Sequence, residues 1–165
     1  MRAPTIIAVL LTPLAAFAAP SSRGTGTSLS DAPSRAVSAR QGVVTPPPCV
    51  AMDPPPTEEE TEARHNVFGE AFLVRKNLTE AFEYISATYI NHNPMAGDGP
   101  NAALDALGPF WGSLQITVLG TAFEGDMGWL NYRSNIAGEV VDRYRWEAGC
   151  IVEHWDQGEQ MPPGA

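Results

Sequence analysis

A chain of 165 residues has room for one domain, and 44% hydrophobic against 18% charged residues is a globular composition, not a disordered one. Nineteen acidic against ten basic side chains give a formal charge of −9. That balance repels nucleic acid and anionic membranes and removes both from the expected partners.

The chain opens with Met1-Arg2, an apolar run from Ile6 to Leu11 and the small residues Ala16-Phe17-Ala18. Charged, apolar and small-residue regions in that order read as a secretory signal peptide over residues 1–18, so the product is expected to be secreted. The apolar run is far short of the roughly 20 residues a membrane span needs. Residues 19–56 are rich in Ser, Gly, Ala and Pro, with Pro46-Pro47-Pro48 and Pro54-Pro55-Pro56 near the end, and read as a linker arm. The folded unit is expected over residues 57–160. Cys49 and Cys150 are the two cysteines. In an exported chain a disulfide between them is favoured over two free thiols, and it would close a loop of about 100 residues, on the order of 4–5 kcal/mol by chain entropy. Asn77-Leu78-Thr79 is a glycosylation sequon that export would make usable.

Thr57-Glu58-Glu59-Glu60 matches a capping box, and Ala63, Val67, Ala71 and Val74 carry helical spacing to about Lys76. His65, between polar neighbours, is expected to face solvent. Asn77 caps a second helix whose buried stripe reads Ala81, Phe82, Ile85 and Tyr89. Cap and glycan acceptor therefore compete for one side chain. After Tyr89-Ile90-Asn91-His92-Asn93-Pro94 a third helix starts at Pro100, which suits a first turn, and buries Leu104, Leu107 and Trp111.

From Gln115 the pattern changes to period two. Residues 115–123, 128–134, 140–146 and 150–156 read as four antiparallel strands, so helices followed by strands predict an α+β fold with the helices over one face of a curved sheet. The last hairpin is the informative one. A three-residue loop Glu147-Ala148-Gly149 pairs Asp142 with His154 and Arg143 with Glu153, placing Asp142, Tyr144, Trp146, Val152, His154 and Asp156 on one covered face. Arg143, Arg145, Ile151 and Trp155 then lie outside, where a homodimer could form. A two-residue loop would shift this register by one and move Asp142 to the face of Trp155.

The Y-I-N-H-N-P stretch at residues 89–94, together with D-R-Y-R at 142–145 and G-C-I-V-E-H-W-D at 149–156, resembles the SnoaL-like polyketide cyclases of the nuclear transport factor 2-like superfamily. The resemblance covers about residues 57–157. It implies a cone-shaped fold with a pocket between sheet and helices, used by characterised relatives for cofactor-free proton transfer. Export sets this chain apart from the best-known cyclases, which act inside cells.

Proton abstraction beside a carbonyl needs a placed base and a donor for the developing enolate. Asp142 or Asp156 is expected as base, His154 as orienting or shuttling partner, and Tyr144 or His92 as donor, with Tyr89, Trp111 and Trp146 in the pocket wall. No tight His/Cys spacing or glycine-rich phosphate loop is present, so neither metal nor cofactor is expected. Two functions follow: a secreted cofactor-free cyclase, isomerase or hydrolase of a small apolar oxygenated metabolite, or a non-catalytic secreted protein that binds a ligand in the same pocket.

Overall fold

A computed structural model describes residues 42–165. The expected signal peptide and most of the arm therefore lie outside the described residues. Helix α1 (Glu58–Gly69) begins at the capping box: Thr57 Oγ1 accepts from the Glu60 amide at 3.2 Å, and Glu60 Oε2 accepts from the Thr57 amide at 2.8 Å. It runs into a π-helical turn over Glu70–Val74, and a short helix α2 (Leu78–Phe82) follows, capped by Asn77.

The expected second helix ends there. Residues Ile85–Asn91 form strand β1. A spacing of four between Ile85 and Tyr89 satisfies both a 3.6 and a 2.0 period, and β-branched Ile85, Thr88 and Ile90 favour the strand. Helix α3 (Pro100–Leu107) comes after β1, so the helices do not all precede the sheet. Strands β2 (Ile116–Glu124), β3 (Met127–Ser134), β4 (Gly138–Glu147) and β5 (Cys150–Trp155) complete a five-stranded sheet of order β1-β5-β4-β3-β2. The sheet is mixed: β1 runs parallel to β5, pairing Asn91 with His154, and the remaining pairs are antiparallel.

The β4–β5 hairpin corrects the expected register twice. Its loop is the two residues Ala148 and Gly149, both with positive φ (46° and 81°), a conformation whose twist suits a tight hairpin. Glu147 therefore pairs with Cys150 and Trp146 with Ile151. A bulge at Val152 then shifts the register again, so that Arg145 pairs with Glu153, Tyr144 with His154 and Arg143 with Trp155. The two single-residue shifts add to an even number. Asp142, Tyr144 and His154 consequently share the inner face as expected, although their partners differ. Ile151 turns inward and is buried instead of lying outside, and Arg145, not Arg143, bonds Glu153.

Buried Phe68, Phe72, Leu130, Tyr144, Trp146 and Ile151 pack between α1 and the inner face of the sheet. His65 belongs to this layer: it is 0% exposed, against the solvent position expected for it. Its room comes from Gly128, where a Cβ would stand 2.4 Å from His65 Nδ1. The Nε2–H donates to the carbonyl of Trp129 at 3.2 Å, and burial pushes the imidazole down to about 4.

Cys49 and Cys150 form a disulfide with Cα atoms 5.7 Å apart, closing 101 positions of chain. The end of the arm is part of the folded body: Val43 packs on the core, and the Cys49 amide donates to Ile85 at 2.8 Å on the outer edge of β1. Among the described residues no helix is long and apolar enough to cross a membrane.

Candidate active site

The inner face of the sheet and the helices enclose a cavity of about 550 Å³, within the range of small-molecule sites. Its apolar side comes from α1 and α3 and the segments after them. Phe68 stacks on Phe72 and Phe72 on Trp111, whose Nε1–H donates to the Phe72 carbonyl at 2.8 Å. Its polar side is the sheet, where Tyr89, Tyr132, Asp142, Tyr144, His154 and Asp156 line the space.

Asp142 is 3% exposed. Its Oδ2 accepts from the Tyr144 hydroxyl at 3.1 Å, and its Oδ1 faces His154 Nε2 at 3.2 Å. On the other side of the ring, His154 Nδ1 lies 3.1 Å from Asn91 Oδ1. That oxygen also accepts the Asn93 amide at 3.0 Å, which identifies it as the acceptor end of the amide group. Nδ1–H is therefore the donor to Asn91, which turns Nε2 towards Asp142 Oδ1, at a distance over which a proton can pass between them.

Asp156 completes the wall. Its Oδ2 accepts from the Asn93 side-chain amide, while its Oδ1 is buried with no protein partner. Of the carboxylate oxygens on this wall, Asp156 Oδ1 is the one without a hydrogen-bond partner among the described residues, so it can take a proton without breaking a bond already made. Burial, with the nearby charge of Asp142 second, raises the phenols of Tyr89, Tyr132 and Tyr144, so all three remain hydrogen-bond donors. Atoms of Asp142, His154 and Asp156 that could hold a cation lie within 4.8 Å of one another. Hydrogen bonds already occupy both nitrogens of His154 and both oxygens of Asp142, so proton traffic fits this donor set better than metal coordination.

Of the residues singled out from sequence, the fold brings together Asp142, His154, Asp156, Tyr89, Tyr144 and Trp111. His92 is not among them. It stacks on Trp155 at 4.6 Å and bonds Glu153 at 3.0 Å on the outer face, because alternation along an extended chain turns its neighbours Asn91 and Asn93 inward. Trp146 is buried in the core behind the cavity and does not line it. The residues sequence reasoning missed are Asn91, Asn93 and Tyr132. Tyr132 lies in a run that reads as a strand, whereas residues 90–94 read as a connection between two helices, which hides the alternation that turns Asn91 and Asn93 inward.

No family model matches this chain, and no curated protein does. Among solved structures it is similar to a nuclear transport factor 2-like protein of unknown function from Burkholderia xenovorans LB400. Identity is 16% over 65% of this chain and 90% of that one, with a TM-score of 0.50. The chain has the nuclear transport factor 2-like fold. A Mesorhizobium loti protein described in the same words is 20% identical over 68% of this chain and 97% of that one, with a TM-score of 0.49. A SnoaL-like protein of unknown function from Burkholderia thailandensis E264 is 13% identical over 62% and 97%, with a TM-score of 0.47. In this fold the cavity between sheet and helices is the natural place for chemistry, but fold alone does not assign any.

Proposed function

We propose that this is a secreted SnoaL-like protein that transfers protons, without a cofactor, on a small apolar oxygenated metabolite, closing, isomerising or hydrolysing it. One observation carries the reading: the unpartnered, buried Asp156 Oδ1 stands beside a His154–Asp142 pair held at hydrogen-bond distance. Asp156 takes a proton from carbon next to a carbonyl. The electron pair moves onto the carbonyl oxygen, for which the phenol of Tyr89 is the donor. The proton between His154 and Asp142 is available for the alkoxide that ring closure or epoxide opening leaves. Tyr144 holds Asp142, and Asn91 holds His154.

Export is proposed from residues 1–18 and accords with the Cys49–Cys150 disulfide. Residues 1–18 are then the leader, and the domain proper spans residues 57–160 with the arm tied to it. A glycan on Asn77 would use Nδ2 and leave the helix cap intact, because the cap uses Oδ1, which accepts the Glu80 amide at 3.2 Å. Pairing of two copies through the outer sheet face, with Arg143, Arg145 and Trp155, is a separate proposal read by light scattering.

Exchange of α-protons tests the chemistry without the natural substrate. A methyl ketone with an octyl chain is incubated with the protein in deuterated water and followed by proton NMR. Exchange above the buffer rate that disappears in Asp156→Asn supports the reading. Binding of the ketone with exchange at the buffer rate leaves the alternative, a ligand-binding protein without chemistry.

A further inference from the structure

Most exposed apolar side chains on a protein surface need no explanation, but three here belong to one opening. Met95 is 82% exposed, Phe110 38% and Ile136 65%, and all three line the cavity described above. They come from unrelated places in the chain: the segment between β1 and α3, the turn after α3, and the turn between β3 and β4. Ala96, Ala106 and Ala137 continue the lining between them. The apolar wall therefore runs without a polar break from the aromatic interior onto the surface. An enclosed site for a compact ligand gains nothing from apolar side chains held in water at its mouth.

The charges of the lining restrict the ligand's polar end. Among the described residues no Lys or Arg lines the cavity, while Asp142 and Asp156 do. A carboxylate or phosphate would be desolvated against two acids with no cation to meet it. Asp156 Oδ1 and the tyrosine hydroxyls suit a neutral carbonyl or hydroxyl group.

We infer that the ligand is a neutral, single-chain amphiphile longer than the cavity, its oxygenated end against Asp156 and its hydrocarbon chain leaving over Met95, Phe110 and Ile136. The inference names a substrate class for the site proposed above and rests on that site's taking an oxygenated ligand. It makes the rim a determinant of specificity by length.

Methyl ketones with octyl, dodecyl and hexadecyl chains, and the carboxylate of the dodecyl chain, are titrated against the protein by calorimetry below their aggregation limits. Affinity is expected to rise about fourfold per methylene inside the cavity and about twofold per methylene along the half-exposed rim. The carboxylate is expected to bind at least about 100-fold more weakly than the ketone of equal length. In Met95→Ser/Phe110→Ser/Ile136→Ser the gain from dodecyl to hexadecyl is lost, and hexadecyl binding falls by a larger factor than octyl binding. Ile136→Ser alone, at a residue too exposed to matter for folding, removes part of that gain. A plateau beyond dodecyl in the wild type, equal hexadecyl binding in wild type and rim variants, or a carboxylate that binds as well as the ketone overturns the inference. Failure of the length dependence with α-proton exchange intact sinks this inference alone. Length-dependent binding without exchange sinks the proton-transfer reading and leaves this one standing.

Discussion

Asn91 and His154 are neighbours across the parallel β1–β5 pair, and the 3.1 Å contact between Asn91 Oδ1 and His154 Nδ1 decides which ring nitrogen can trade protons. With Nδ1–H committed to the amide oxygen, only Nε2 can trade with Asp142. Asn91 is thus a positioning residue, acting through the imidazole.

Asn91→Leu should free Nδ1, let the ring change tautomer and lower α-proton exchange about tenfold with little change in ketone affinity. The accompanying signature is a change in the His154 ring-nitrogen chemical shifts, which loss of activity through misfolding would not produce selectively. Unchanged nitrogen shifts would argue against the fixed tautomer.

Asp156→Asn and Asp142→Asn separate the two carboxylates. Removing the free oxygen at Asp156 should cost about 10²–10⁴-fold in exchange rate while the protein stays folded. At Asp142 the substitution should also destabilise the fold, because the buried hydroxyl of Tyr144 and the His154 ring lose a charged acceptor. A larger loss of exchange in Asp142→Asn, with stability unchanged, would exchange the two roles.

His65 gives the domain a pH dependence of its own. Its imidazole is pushed from an ordinary 6.5 to about 4 in the folded state, so between those values the unfolded chain binds the extra proton. Stability from this group is therefore complete above about pH 6.5 and falls as pH drops towards 4, by about 3 kcal/mol in all. Urea unfolding at the two ends of that range should show the loss in the wild type and a smaller one in His65→Gln. Equal slopes in both proteins would mean that His65 does not titrate in this window.

Cys49→Ser/Cys150→Ser should lower stability by on the order of 4 kcal/mol, since the bridge closes 101 positions of chain. The cavity is built by other elements, so ketone binding at low temperature should survive. Chemical denaturation with and without reductant checks the first expectation and calorimetry the second.

Much of the fold was legible because local rules decide local structure. Thr57 and Glu60 form the cap their spacing predicts, and β2 to β5 stand within a few residues of the period-two runs that mark them. The polar wall of Asp142, His154 and Asp156 was legible for a weaker reason. The inner face survived because a loop one residue shorter and a bulge one residue longer cancelled in parity, which nothing in the hairpin's sequence announces.

Composition, caps and alternation were enough for sequence to determine an acidic α+β domain with a half-polar hairpin face, and the sole pair of cysteines favoured a bridge that the 5.7 Å approach of their Cα atoms allows. Tertiary structure alone decided the rest. It made residues 85–91 a strand, since a buried spacing of four serves either period until a partner strand claims it, and so chose Asn91 and Asn93 over His92. It also took His65 out of water, because the space for its ring exists only where Gly128 of a distant strand leaves out a side chain.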